Sequence, residues 1–562
     1  MGDKRAVKVM KWVCHMAKYG GIYLLLLMGY GVSQAQDFYQ HTRAAWLAIA
    51  TASTPTLTEH VIHPCKLGVL QADEAAFQGW RIDSVLPVDS LYRKGFKAQT
   101  GVILDFGEHY TGEVSFTLAT MNRTPDAPLR LKFTFGEVPA ELATPFDPYP
   151  GSLSRAWLQD ELVTVNEIPA TITIPRRLAF RYVKIELLTP SIAYDFKLTG
   201  IQVKAVTSAS NKVPDLPATT EPLMKKIDAV GLRTLRECMQ TVYEDGPKRD
   251  RRLWIGDLYL EALANSFSYR NHQLTKRCLY LLAALSNQAG YLHGTVFERP
   301  QPHPQEGQRL FDYSLLYNVA LKDYYQYTQD KKTAADLWPV AKKQLDIVKQ
   351  YVLPNGLIDY ERATKEIWIF IDWKDGLHKQ AAIQGLAIYA IKETQALAKA
   401  LGKAHEVAEW SAVVEHMSQA AKKYLYDRDK QLFISGDDRQ VSYASQIWMV
   451  LGGVATMKEN RKMMASLQNY ADALKPGGPY LYHYYVQALI QCGMATEAKN
   501  TLLNYWGSMI EKGADTFWEV YDPEDDFRSP YHFFPMNSYC HAWSCTPVYF
   551  IRKYPAIFCV NE

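Results

Sequence analysis

The 562-residue sequence predicts two architectures in series, a β-sandwich or jelly roll over residues 36–212 and an (α/α)6 toroid over residues 213–562. Three observations carry this prediction. From residue 37 to about 206, apolar and polar residues alternate in short runs broken by Gly, Pro and Asp, the period of half-buried strands. Beyond residue 222 the period becomes 3.6, and about twelve amphipathic stretches follow with no strand pattern between them. The helical half has no fixed-period sequence repeat, so six helical hairpins closed in a ring fit better than a solenoid.

Taken in chain order, residues 1–35 read as an export signal. Lys4, Arg5, Lys8, Lys11 and Lys18 precede the apolar run from Gly21 to Met28, and Ser33-Gln34-Ala35 offers small residues for cleavage. The run is short for a bilayer span, so the expected product is periplasmic or extracellular, with no stable membrane span once the signal is removed. Strands are expected at Val102–Gly107, Gly112–Leu118, Leu129–Phe135, Ala170–Ile174 and Tyr182–Leu187, and Thr207–Pro222 reads as a linker. Helices are expected near 222–243, 257–271, 273–287, 312–328, 333–351, 378–402, 404–425, 442–455, 458–470, 479–492, 495–511 and 537–553. Gly402 closes one of these and Pro479 opens another.

Composition excludes several functions. Outside the leader the chain holds 57 basic and 58 acidic residues, which argues against a general nucleic-acid surface. Seven cysteines beyond the leader are scattered, with no CxxC pair and no Cys/His zinc spacing. Mostly buried free thiols are expected, and neither a metal nor a cofactor. The 36 Tyr and 13 Trp supply flat surfaces that stack on sugar rings.

In a toroid the loops at one end surround a cleft, so function is expected where loops concentrate carboxylates and aromatics. The segment Glu244–Asp257 packs four acids, four bases and a Trp into fourteen residues. Asp257 within it reads equally as a helix N-cap. Ala514–Asp526 sets Glu519 between Trp518 and Tyr521, and Trp368–Gly376 sets Asp372 beside Trp373. Two acids far apart in sequence and facing each other across one cleft are what glycoside hydrolysis requires, one to protonate the leaving oxygen and one to activate water or attack. Spacing alone does not name the sugar, nor separate hydrolysis from a lyase that uses Tyr or His as its base.

These segments resemble the bacterial α-L-rhamnosidases of glycoside hydrolase family 78, over most of the chain beyond the leader. That family has a loop of the form D-C-P-x-R-D-E-R-x-G-W-x-G-D, whose Glu is the general acid. Aligned from its Gly-Asp end, Gly256-Asp257 and Trp254 fall on the family's residues and Asp250 takes the acid position, one methylene shorter than Glu. Asp245-Gly246-Pro247 resembles the opening D-C-P, with one residue missing in between. Thr516-Phe517-Trp518-Glu519 resembles T-x-W-E, Asp372-Trp373 resembles the pocket-wall D-W, and the stretch around His541 resembles S-L-x-H. Leu104–Glu108, Phe135-Gly136-Glu137 and Phe180–Val183 resemble the accessory sandwich.

The resemblance implies an exported hydrolase that removes terminal α-L-rhamnose, or a similar deoxy sugar, with inversion. Asp250 would be the acid and Glu519 the base, their carboxyls roughly 6.5–9.5 Å apart. Asp245, Arg249, Arg251, Trp254, Asp257, Asp372, Trp373, Trp518 and His541 would bind the substrate, with Trp373 and Trp518 stacking on it. Two other readings stay open. The arginines suit a uronide as substrate of a hydrolase or lyase on the same toroid. Alignment from the motif's start puts Arg251 at the acid position, which would leave a binding protein without turnover.

Overall fold

The computed structural model describes residues 37–97, 101–189 and 191–560, so the expected leader lies outside the described residues. Eight antiparallel strands build the sandwich: β1 (Thr58–Ile62), β2 (Lys66–Ala72), β3 (Trp80–Pro87), β4 (Val102–Thr120), β5 (Leu129–Gly136), β6 (Asp160–Val165), β7 (Ala170–Thr189) and β8 (Phe196–Thr207). β4 and β7, 19 and 20 residues long, change register along their length and serve both layers. The first half of β4 joins the run β3-β2-β4-β7-β5-β6, and its second half joins β1-β8-β4-β7. Alternate residues of both layers fill the interior, where Phe116 of β4 meets Phe133 of β5 with ring centres 4.7 Å apart.

Six helices line the inside of the toroid: Ile255–Ser266, Phe311–Thr328, Gln380–Leu401, Tyr443–Leu451, Pro479–Gln491 and the 542–553 stretch. Each neighbours the next, and the last returns to the first, which closes the ring. Six outer helices each precede an inner one: Pro222–Cys238, His272–Ala284, Lys331–Tyr351, Trp410–Ala420, Met457–Gln468 and Ala495–Glu511. Gly402 does cap its helix in the left-handed region, and Pro479 sits in the first turn of its own. Among the described residues, no helix is long and apolar enough to cross a membrane. The seven cysteines described are free, and all but Cys65 are buried.

Four features depart from the sequence expectation. Arg43–Ala52, within the segment expected to be all strand, is a helix packed on His272–Ala284. Its Trp46 and Ala50 join the toroid core, and Arg277 donates to the Ala50 carbonyl at 2.6 Å. The helical half also contains two small sheets, Leu253–Trp254 with Thr295–Phe297 and His303–Pro304, and Tyr426–Asp427 with Leu432–Ser435 and Gln440–Val441. A short helix, Tyr360–Glu366, was not expected. The last helix starts at Pro547 rather than near 537, after a 3-10 turn at Ala542–Cys545. Residues 538–541 instead hydrogen-bond along residues 517–519, through Glu519 N–H to the Ser538 carbonyl and His541 N–H to the Phe517 carbonyl, both 2.9 Å.

Candidate active site

The loops that lead into the inner helices converge on a cavity of about 210 Å³. Asp245, Arg249, Asp250, Arg252, Trp254 and Asp257 line it from the first loop, and Trp368, Phe370 and Trp373 form an aromatic side. Glu519, Tyr531, His541 and Trp543 come from the C-terminal end, and Leu153 from the sandwich.

Glu519 is fixed from every side. Arg249 Nη2 donates to its two oxygens at 2.6 and 2.5 Å, the Ser538 N–H donates at 2.9 Å, and the Tyr531 hydroxyl donates to Oε1. Burial would raise this carboxyl, but the Arg249 charge and these donors bring it down to about 2. It is therefore an oriented carboxylate at neutral pH. The Trp543 indole N–H, bonded to the Glu519 carbonyl at 3.0 Å, anchors the backbone behind it.

Asp250 is held differently. It sits in the left-handed region with φ 63°, followed by Arg251 with φ 54°. Two consecutive left-handed residues without glycine are strained, by about 1–3 kcal/mol each. The loop closes on itself around them: the Arg251 N–H donates to the Gly246 carbonyl at 3.3 Å, and the Asp245 N–H donates to the Arg252 carbonyl at 3.2 Å. Asp250 pairs with Arg249 Nη1 at 3.3 Å and Arg252 Nη2 at 2.9 Å. One guanidinium thus touches both candidate catalytic acids, so the bonded oxygens of Asp250 and Glu519 lie at most about 8 Å apart. The sandwich secures this loop through Lys248, whose buried ammonium meets Glu137 at 3.0 Å and Glu141 at 2.8 Å.

Three further polar groups face the cavity. Burial and neighbouring carboxylates push Asp245 and Asp257 well above the usual carboxylate range. Burial pulls His541 down to about 4, so it is neutral at pH 7. His541 Nδ1 lies 3.6 Å from Asp257 Oδ1, and neither atom has a hydrogen-bond partner among the described residues. The same holds for Trp373 Nε1 and Arg252 Nε. Buried orphan donors and acceptors of this kind are what a hydroxyl-rich ligand satisfies. Asp257 does not cap its helix, because Trp254 holds the cap position and Asp257 falls in the first turn. Gly256 before it leaves room for Tyr313, whose ring a β-carbon there would meet at 2.4 Å.

The structure moves three expected contact residues out of the lining. Asp372 sits behind the wall, accepting from the Gly477 N–H at 2.5 Å and the Trp373 N–H at 2.9 Å. Burial, only partly offset by these donors, raises it to about 7. Asp312 performs a similar task, accepting from Ile371 N–H at 2.7 Å where Ile371 takes φ 55°. The two carboxylates thereby shape the strained loop that presents Trp368, Phe370 and Trp373. Trp518 does not face the cavity that its neighbour Glu519 lines. It stacks on Phe77 of the sandwich with ring centres 4.0 Å apart. Arg251 turns to the far side of its loop from Asp250.

Sequence reasoning singled out Arg252 only among the arginines that suit a uronide, and missed Tyr313, Trp368, Phe370, Tyr531, Trp543, Gln305, Gln308 and Leu153 as lining residues. Arg252, Trp368, Phe370 and Trp543 stand within the segments singled out, so their composition held the signal. Leu153 comes from the sandwich and carries no local signal.

A closed ring of six hairpins, with two carboxylates held by one guanidinium where loops enter its inner helices, is the frame of a six-hairpin glycosidase. The matches are specific to a family. Residues 64–205 match the glycosyl hydrolase family 78 α-rhamnosidase N-terminal domain, and residues 218–554 match the bacterial α-L-rhamnosidase six-hairpin glycosidase domain. The chain belongs to the family 78 α-L-rhamnosidases and is a glycoside hydrolase. It is similar to a rhamnosidase from Klebsiella oxytoca solved with rhamnose bound, at 40% identity and TM-score 0.88, over 91% of this chain and 99% of that one. It also resembles a family 78 rhamnosidase of Bacillus sp. GL1, at 21% identity and TM-score 0.66, over 80% of this chain and 46% of that one. An α-L-rhamnosidase from Aspergillus terreus aligns at 15% identity and TM-score 0.63, over 89% of this chain and 54% of that one. The latter two speak to the fold alone. No curated protein sequence matches the chain.

Proposed function

We propose that the pocket hydrolyses terminal α-L-rhamnosides with inversion, Asp250 protonating the leaving oxygen and Glu519 taking a proton from the attacking water. The observation that carries this reading is Arg249, whose guanidinium bridges the two carboxylates at 3.3 Å and 2.5–2.6 Å. Glu519 stays ionised and oriented, as a general base must. Asp250 is paired with Arg249 and Arg252 in the free enzyme, so proton delivery needs these guanidinium groups to shift onto substrate oxygens as the sugar enters. Asp245, Asp257 and His541 then bond the ring hydroxyls, and Trp373 covers the apolar face. A uronide substrate in this pocket has less support, because Arg249 and Arg252 already serve Glu519 and Asp250.

The leader composition supports an exported enzyme, which N-terminal sequencing of the secreted protein tests. The activity is tested by release of p-nitrophenol from its α-L-rhamnoside beside other p-nitrophenyl glycosides. Turnover of the rhamnoside, lost in Asp250→Asn and Glu519→Gln, is expected. Preference for another glycoside, or activity that survives Glu519→Gln, would overturn the assignment.

A further inference from the structure

A second and larger cavity, about 580 Å³, opens where the sandwich meets the toroid. It lies on the other side of the catalytic loop from the sugar pocket: Asp250 lines the pocket, and the next residue, Arg251, lines this cleft. Most of the charges around it are already matched. Arg177 pairs with Glu244 at 2.6 Å, and Arg176 with Glu161 at 3.0 Å. Lys204 serves Glu59 and Glu113 at 3.5 and 3.7 Å, and Glu298 pairs with Arg277 behind the wall.

Two guanidinium groups remain. The Arg251 guanidinium makes one hydrogen bond among the described residues, from Nε to the Lys248 carbonyl at 3.2 Å, and its buried Nη2 has no partner among them. Burial, with Arg177 and Arg176 nearby, pulls its pKa down to about 9, so an arriving anion would relieve a desolvated cation. Arg299 stands at the exposed rim with no ion pair among the described residues. Phe297 also lines the cleft, with only its rim free, because His303 stacks on its ring at 4.8 Å and Arg252 of the sugar pocket lies over it at 4.6 Å.

We propose that this cleft is a second carbohydrate site, for a uronate unit whose carboxylate is held by Arg251 and Arg299 and whose ring packs beside the rim of Phe297. The planar guanidinium fork matches a carboxylate bidentately. The volume falls in the range of about 300–1,000 Å³ usual for small-molecule sites, and an inorganic oxyanion would leave most of it unfilled. The site stands independently of the rhamnoside reading, since none of these three residues lines the catalytic pocket. It gives the enzyme a grip on acidic oligosaccharides at a place where hydrolysis does not occur.

Calorimetric titration of the full-length protein tests this, with saturating rhamnose present to occupy the catalytic pocket. The probes are digalacturonate, the neutral disaccharide of galactose with the same linkage, and inorganic phosphate. Saturable one-to-one binding of digalacturonate is expected, at least tenfold tighter than either of the others. Arg251→Gln and Arg299→Gln should each weaken it at least fivefold, with hydrolysis of a neutral aryl rhamnoside unchanged in Arg299→Gln. Should Arg251→Gln fail to fold, the exposed Arg299→Gln decides alone. Absence of saturable uronate binding, equal binding of the neutral disaccharide or of phosphate, or affinity untouched by Arg299→Gln would overturn the proposal.

Discussion

Glu519 and Asp250 share one guanidinium and differ in almost everything else. Glu519 lies on a segment bonded to residues 538–541, and four donated hydrogen bonds occupy its two oxygens. Asp250 tops a strained left-handed turn, and among the described residues its carboxylate is held only by ion pairs to Arg249 and Arg252. A base that must be charged and aimed is best built into a rigid frame. An acid that must exchange a proton with a leaving group has to let go of its partners during each cycle. The difference assigns preorganisation to one carboxylate and adaptability to the other.

The largest effect expected from breaking this pair is that of Glu519→Gln, which should lower kcat by about 10³-fold or more. Asp250→Asn should lower kcat by about 10²-fold on a p-nitrophenyl glycoside and by more on a sugar leaving group, which needs protonation. Equal losses on both substrates would mean that Asp250 does not deliver the proton. Arg249→Gln strands a buried carboxylate and should cost about 3–5 kcal/mol in denaturant unfolding. Its pH signature is specific. Glu519 is depressed to about 2 in the folded protein, so its pairing stabilises the fold above the unfolded carboxyl pKa, and that contribution is lost as pH falls toward 2. In Arg249→Gln this acid-side loss should disappear, and the acid limb of kcat/KM should move to higher pH.

Tyr531→Phe removes one of the four hydrogen bonds to Glu519, and a loss of about tenfold in kcat with little change in KM is expected. Asp372→Asn should have the smallest effect on turnover and act on stability instead, costing about 1–3 kcal/mol, because Asn offers one acceptor where two backbone N–H groups need partners. Asp372 is raised to about 7, so the folded protein holds a proton there that the unfolded chain gives up above about pH 4. Its contribution to stability therefore declines as pH rises from about 4 to 7, and the Asn variant should lack that slope.

The two periods in the sequence located the sandwich and the ring because each buries one face of every element. They did not reveal the Arg43–Ala52 helix, which lies in a strand-rich region but buries Trp46 in the helical core. Nor did they start the last helix correctly, because residues 537–546 are buried throughout and present no polar face to mark a loop. Asp250, Glu519, Asp245, Asp257 and His541 were legible as members of one site. Their neighbours Arg251 and Trp518 were not separable from them, since the composition of a segment does not say which way consecutive side chains point. At Asp250 and Arg251 that was decided by left-handed φ, and at Trp518 by the Phe77 ring on which it stacks.

The central claim, an inverting pair spaced by Arg249, is tested most directly by proton NMR of the first-formed sugar from an aryl α-L-rhamnoside. The account predicts that β-L-rhamnose appears first and then mutarotates. Initial release of the α anomer would mean that a carboxylate attacks the sugar itself, and would contradict the assignment of Glu519 as a base acting on water.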